Sequence, residues 1–350
     1  MTTVPENWQQ RAIEHVSLDA FNPVPLVDAM EGMAFQARNL ARAAKIYERM
    51  LRDQECSVWL CLAGSLVSAG LKQVFLDLIR SNMVDAIVST GANIVDQDVF
   101  EALGFQHWHG DVTADDNELR DKEIDRIYDT YIDESELRIV DDTMRDISDR
   151  LEPRPHSSRE FLIETGRFLS DNAKNRDSIV LECYERKIPI FCPAFSDCSA
   201  GFGMVEHQYK KQLKGEPSMS LDSAKDFLEL TRVKMEGGAS GLFMIGGGVP
   251  KNFAQDTVVA ADILGVEAEM HRYAIQLSVA DERDGALSGS TLKEASSWGK
   301  VSTQAEQMVW GEATITLPLV AGYAFHKKAS EGRKERRFND LLETPTQPTV

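Results

Sequence analysis

The 350-residue sequence has little that would tie it to a membrane, a metal or an oxidising compartment. No apolar stretch reaches the roughly 18 residues a spanning helix needs. The opening residues, with Glu6, Asn7, Trp8 and Gln9 close behind Met1, lack the basic head and apolar run of a secretory leader. Cysteine is sparse. The five present, Cys56, Cys61, Cys183, Cys192 and Cys198, are odd in number, show no CxxC spacing and sit mostly in apolar runs, which fits core packing in a reducing compartment better than disulfides or zinc. The expected location is the cytoplasm. There is no GxSxG elbow for a hydrolase and no GxGxxG fingerprint. No internal repeat or linker divides the chain. Basic residues are also scarce: 38 Lys and Arg against 56 Asp and Glu give a net charge of −18, which repels nucleic acid and anionic membranes and suits small cations.

What is present is an alternation of short apolar runs with helical patterns. Residues 1 to 30, with Pro5, Pro23 and Pro25, read as an irregular arm laid over the body or over a neighbouring subunit. From Val27 to Asp53, apolar residues including Met30, Ala37, Leu40, Ala44 and Tyr47 recur at helical spacing. Strand-like runs follow at 57–62, 84–88, 188–192, 241–245, 273–278 and 307–310, most leading into a helical pattern, and most ending in small or polar residues. This order predicts an α/β fold: a doubly wound, mostly parallel sheet of the Rossmann-like, NAD-binding kind, with helices on both faces. Residues 111 to 180 read as charged and helical, 31 to 330 as a single domain, and 331 to 350 as a tail that frays.

Ligands of such sheets bind at the carboxyl ends of the strands, where the small-residue clusters fall. Gly246-Gly247-Gly248, between a strand and a helix and followed by Pro250, lets backbone N–H groups approach a pyrophosphate, although a tight turn without a ligand needs the same residues. Ser65, Ser68, Ser89 and Thr90 place hydroxyls at equivalent strand ends. Asp197, Asp284, Glu294 and Glu312 fall at strand ends or in the loop that leads to Lys300, and carboxylates gathered there would hold the ammonium groups of a cation. His107 and His109 flank Trp108 too closely for two ligands on one helical face, so a structural role is preferred and no metal is expected. In Glu294-Ala295-Ser296-Ser297-Trp298-Gly299-Lys300 a carboxylate, an indole and a lysine share seven residues. A lysine withdrawn from water beside an indole is pushed towards its neutral, nucleophilic form.

These motifs together resemble deoxyhypusine synthase. The resemblance is carried by Gly246-Gly247-Gly248-Val249-Pro250-Lys251, Asp284-Gly285, Ser297-Trp298-Gly299-Lys300, Trp310-Gly311-Glu312-Ala313, Ser65 to Gly70 and Pro193 to Asp197, and it spans about residues 30 to 330. It implies a homotetramer with active sites shared across a dimer interface and NAD as cofactor. It also implies a lysine, here Lys300, that captures a four-carbon amine fragment as an imine. Carried across, the cofactor residues would be Gly64, Ser65, Ser68, Thr90, Gly91, Ala92, Asp197, Gly247, Glu312 and Ala313. The amine would meet Glu294, Trp298 and Lys300, with Asp284 and Asp197 close by.

The sequence departs from the family where the amine is gripped: Asn252 stands in place of a histidine, Leu287 and Gln97 in place of acids, and an acid is missing from the run Cys198 to Gly203. Each lost charge-assisted contact is worth about 1.5–3 kcal/mol, enough to change which polyamine fits. The expected activity is therefore that of a bacterial deoxyhypusine synthase-like enzyme joining small amines such as putrescine, spermidine or agmatine, in the manner of a homospermidine synthase. The alternatives are a true deoxyhypusine synthase, whose acceptor is a protein lysine, and a non-catalytic NAD-binding protein.

Overall fold

The computed structural model describes residues 6, 8–283 and 291–344. Eleven strands occur among them: β1 (Ser57–Leu62), β2 (Ala86–Ser89), β3 (Trp108–His109), β4 (Ile124–Ile127), β5 (Thr130–Asp133), β6 (Pro155–His156), β7 (Ile190–Phe191), β8 (Ser220–Leu221), β9 (Ser240–Ile245), β10 (Tyr273–Ser278) and β11 (Glu306–Trp310). Six of them form one parallel sheet in the order β11-β10-β9-β1-β2-β7. The twofold alternation along each strand sends side chains to two cores. Val58, Leu60, Leu62, Phe243, Ile245, Ile275 and Leu277 meet the helices Phe35–Arg52, Lys72–Arg80 and Ala313–His326. Trp59, Cys61, Val88, Leu242, Met244 and Ala274 meet the helices Ser223–Glu236, Gly248–Ile263, Leu292–Ser297 and Phe338–Glu343. The sheet is thus covered on both faces, as its near-continuous apolar strands require.

The open margin at β11 is closed by side chains. Ala305 and Gly311 bond inward to β10, so the intervening residue Trp310 and the carbonyl of Met308 face away from the sheet. Gln36 accepts the Trp310 N–H at 2.8 Å, and the Gln307 amide donates to the Met308 carbonyl at 2.7 Å.

Four expectations are corrected by the structure. The single helix expected from Val27 to Asp53 is two, Val24–Met30 and Phe35–Arg52, broken at a turn that contains Gly32. The arm is only partly irregular, and part of it is strand-like: Ile13 donates to the His107 carbonyl at 2.8 Å, and the Arg11 carbonyl accepts from His109 at 2.9 Å. The stretch expected to be helical from residue 111 is interrupted, after a short helix Asp116–Asp121, by β4 and β5, which with β3 form an antiparallel sheet in the order β3-β5-β4 that the arm extends. Trp8 packs edge-on against Trp108 and Tyr131, over a small core of Ala114, Leu119 and Ile124.

The fourth correction is the tail. It is expected to fray beyond residue 330, yet up to residue 344, the last described there, it is docked: Arg333 is buried against Asp85 at the amino ends of β1 and β2, and Phe338 and Leu342 complete the second core. All five cysteines are free thiols, and among the described residues no cluster of His, Cys, Asp or Glu is placed to hold a metal. No described helix is long and apolar enough to cross a membrane.

Candidate active site

The turns after β1 and β2 are stitched together by side chains. Thr90 donates to the Gly64 carbonyl at 3.1 Å, Asn93 accepts the Leu66 N–H at 2.7 Å, and Gln97 accepts the Ser68 N–H at 2.8 Å. Gln97 is therefore used here as a neutral acceptor that holds a turn. Both turns enter their helices through wide, π-type turns, at Val67–Leu71 and Ala92–Val99, a geometry that recurs at functional sites. Gly64 has φ +71°, and nothing lies within 4 Å of where a Cβ would be, so the backbone is open to a ligand there. Gly91 is tight instead: a Cβ would lie 2.4 Å from Cys198 Sγ, which brings the turn after β2 against the segment carrying Asp197. Asp197 itself is exposed. Beneath it, burial pushes the Asp96 carboxyl up to about 7, against the Ser199 N–H that it accepts at 2.9 Å.

The glycine run after β9 behaves as a turn that exposes backbone. Gly246 and Gly248 have φ +77° and +68°, and Gly247 begins the helix Gly248–Ile263. Glu312 and Ala313 open the helix Ala313–His326, with the Glu312 carboxylate accepting the Thr314 N–H at 2.9 Å. A cleft of about 610 Å³ lies against Ser65, Ser68, Glu312 and Thr314 on one side and Arg11, His109, Tyr128 and Asp129 on the other. Of the expected cofactor residues, Ser65, Ser68 and Glu312 line this cleft, whereas Gly64, Thr90, Gly91, Ala92, Asp197, Gly247 and Ala313 do not. The wall made by the arm and the β4–β5 turn is missing from the sequence reading, because neither element carries a recognisable ligand motif. A cleft of this volume, lined by hydroxyls and a guanidinium, carries the kind of polar groups that a dinucleotide needs.

Lys300 is positioned differently from the expectation. The short helix Leu292–Ser297 ends at Trp298, Gly299 turns the chain with φ +71°, and the Lys300 carbonyl accepts the His271 N–H at 2.9 Å. His271 precedes β10, so the lysine backbone is tied to the amino end of that strand and not to the carboxyl-end turns. Its side chain runs onto the flank of the helix Gly248–Ile263, where Nζ meets Asp256 Oδ1 at 2.5 Å and lies 5.4 Å from the centre of the Trp298 ring. The lysine side chain is only 15 % exposed, while Trp298 is 67 % exposed. The carboxylate that meets the lysine is thus Asp256, and not one of the acids expected near it, Asp197, Asp284, Glu294 or Glu312. Asp256 is absent from the sequence reading, and its position in an ordinary helix gives no signal of its own.

Glu294 closes a capping box with Thr291, whose N–H holds its carboxyl below the usual range. Asp284 and Leu287 lie outside the described residues. A second lysine, Lys251 of the glycine run, is fully buried, and burial pushes its amine down to about 8, with Glu294 opposing that shift and Lys300 adding to it. Between pH 8 and about 10.5 the unfolded chain keeps a proton that the folded one has released, so stability rises with pH in that window. Urea midpoints measured at pH 7.5 and 9.5 should show a smaller rise in Lys251→Met than in the wild type.

Sheet, cleft and lysine define an α/β protein with a cleft at the carboxyl ends of its strands and a covered lysine on the flank of the helix Gly248–Ile263. The sequence matches the family model "Deoxyhypusine synthase" over residues 25–324. It is 62 % identical to a deoxyhypusine synthase-like protein of Chlorobaculum parvum, covering 95 % of this chain and 94 % of that one. It is 54 % identical to a deoxyhypusine synthase-like protein of Caulobacter vibrioides, covering 97 % and 94 %. The fold superposes on a crystal structure from Entamoeba histolytica assigned as a deoxyhypusine synthase, with a TM-score of 0.60 at 18 % identity, covering 92 % of this chain and 99 % of that one. The protein belongs to the deoxyhypusine synthase family of transferases.

Proposed function

We propose that the protein is an NAD-dependent transferase of four-carbon amine fragments that acts between small polyamines, with Lys300 as the covalent carrier. The observation that carries this reading is the setting of Lys300 Nζ, largely covered, between an indole and the Asp256 carboxylate, in a chain of this family. NAD, when bound, supplies the hydride acceptor for the first step and the donor for the last. Loss of a hydride from carbon and a proton from nitrogen turns the donor amine into an imine. Asp256, in contact with Nζ, takes the ammonium proton of Lys300. The freed amine adds to the imine carbon, the original amine leaves, and the four-carbon fragment stays on Lys300 as an imine. An acceptor amine displaces it, and return of the hydride gives the saturated product.

One feature favours small amines over a protein lysine, and a second bears on assembly. The grip differs from the family pattern at Asn252 and Gln97, and Asn252 lies one helical turn before Asp256 on the same flank. Val249, Val259 and Ile263 share that flank and are exposed, with Trp298 beside the lysine, and this favours a homotetramer in which a second copy closes the site and removes it from water.

Borohydride reduction with NAD and each of putrescine, spermidine and agmatine, followed by peptide mass spectrometry, should leave one adduct, on Lys300. Its mass identifies the fragment, aminobutyl or guanidinobutyl, and the incubation that yields it identifies the donor. No adduct with any amine would sink the reading, and label passing from spermidine into a protein acceptor would favour deoxyhypusine synthesis.

A further inference from the structure

We propose that the adenosine end of the dinucleotide is held by Arg11, Tyr128 and Asp129, on the wall of the cleft built by the N-terminal arm and the β4–β5 turn. The assignment rests on the NAD-dependent reading above and concerns residues outside the glycine and serine turns. The first observation is the cleft itself, whose two walls come from different parts of the chain: Ser65, Ser68 and Glu312 from the parallel sheet, and Arg11, Tyr128 and Asp129 facing them.

The second is Tyr128. It sits with Asp129 in the two-residue turn that joins Ile127 to Thr130, at φ +52°. Turns of this kind take glycine or asparagine where φ is positive, because a β-carbon there is strained, and a bulky aromatic is a true outlier. The strain is not offset by packing. The ring is 74 % exposed, and among the described residues its hydroxyl has no partner. Arg126 donates to the Tyr128 carbonyl at 2.8 Å and so holds the turn without using the side chain. A strained residue that the fold does not use points to a ligand. An exposed aromatic face on the rim of a nucleotide-sized cleft is a stacking platform for a base.

The third observation is Arg11. Its backbone is fixed by the His109 N–H, yet its guanidinium has no ion-pair partner among the described residues, in a chain where acids outnumber bases by 18. A planar cation of this kind pairs with phosphate oxygens. Asp129 beside it offers an acceptor for ribose hydroxyls, the role acids play in other dinucleotide sites. Base, phosphate and ribose thus each meet a suitable group on one wall.

The test is calorimetric titration of the full chain with NAD and with ADP-ribose, for the wild type, Arg11→Ala, Tyr128→Gly and Tyr128→Phe, together with thermal midpoints. Arg11→Ala and Tyr128→Gly should each weaken both ligands by about 10-fold, and Tyr128→Phe should bind like the wild type. Tyr128→Gly should keep or raise the midpoint, because it relieves the turn. Wild-type affinity for ADP-ribose in both Arg11→Ala and Tyr128→Gly would overturn the assignment and leave the proposed reaction standing. A fall in midpoint along with affinity that Tyr128→Phe does not restore would assign the tyrosine to the fold and overturn the assignment too. A wild type that binds neither ligand would overturn this assignment and the NAD-dependent reading together.

Discussion

Lys300→Ala should lose turnover by about 10³-fold or more while the protein stays folded. The two halves of this expectation come from different physics. If the fragment travels on Nζ, no neighbouring side chain replaces it, because a carrier removed outright leaves direct transfer between two amines as the only route. Arginine in its place keeps the positive charge and the contact with Asp256, yet stays protonated and cannot form the imine, so Lys300→Arg should be equally inactive. Stability should barely change: Asp256 is partly exposed, and a pair of that kind contributes no more than about 1 kcal/mol. Steady-state assays with the best amine donor, read beside thermal midpoints, check both halves. An arginine variant with substantial turnover would show that the lysine only attracts or positions substrate.

The largest effect on stability should come from the far end of the chain. Arg333→Met should destabilise the protein by about 3–5 kcal/mol, because it strips the close partner from a carboxylate shut away from water and leaves Arg336 Nε at 3.9 Å. Asp85 and Arg333 are each about 1 % exposed, and Asp85 also accepts the Val58 N–H at 2.7 Å. The guanidinium reaches further, to the carbonyls of Asn82 at 3.0 Å and Cys56 at 2.9 Å, so one residue ties the tail to the ends of two strands. Adding Asp85→Asn to Arg333→Met should recover part of the loss, since the unpaired charge disappears with the second change. Urea unfolding of the two single variants and the double variant measures this. Equal stability of Arg333→Met and the wild type would mean that the tail is not docked in solution.

The parallel sheet was legible because its strands are buried on both faces. Ser57–Leu62, Ser240–Ile245 and Tyr273–Ser278 read as unbroken apolar runs and emerge within a residue of where the pattern puts them. Ile188 to Cys192 reads as a strand of ordinary length but pairs only at Ile190 and Phe191, because periodicity reports burial and not hydrogen bonding. The hairpin β4–β5 was hidden by its charges. Its apolar residues are few and set among acidic and basic ones, and the tryptophan that packs on the small core of Ile124 and Tyr131 comes from more than a hundred positions earlier.

The tail misled for a related reason. Arg333 looks like solvated charge until the buried Asp85 at the amino end of β2 is known. At the candidate site the Trp298-Gly299-Lys300 segment is distinctive in sequence, but the acid that contacts the lysine lies 44 positions earlier, and spacing along the chain carries no trace of such a contact.

The glutamines along the last strand decide how this molecule can meet other molecules. A bare strand would offer a template on which a foreign segment, or another copy during synthesis, could zip up by backbone pairing and grow into an aggregate. With the Gln36 and Gln307 amides already occupying two of those positions, extension of the sheet has to begin by breaking bonds. At this edge, strand pairing is thereby disfavoured against contacts whose fit depends on side-chain shape.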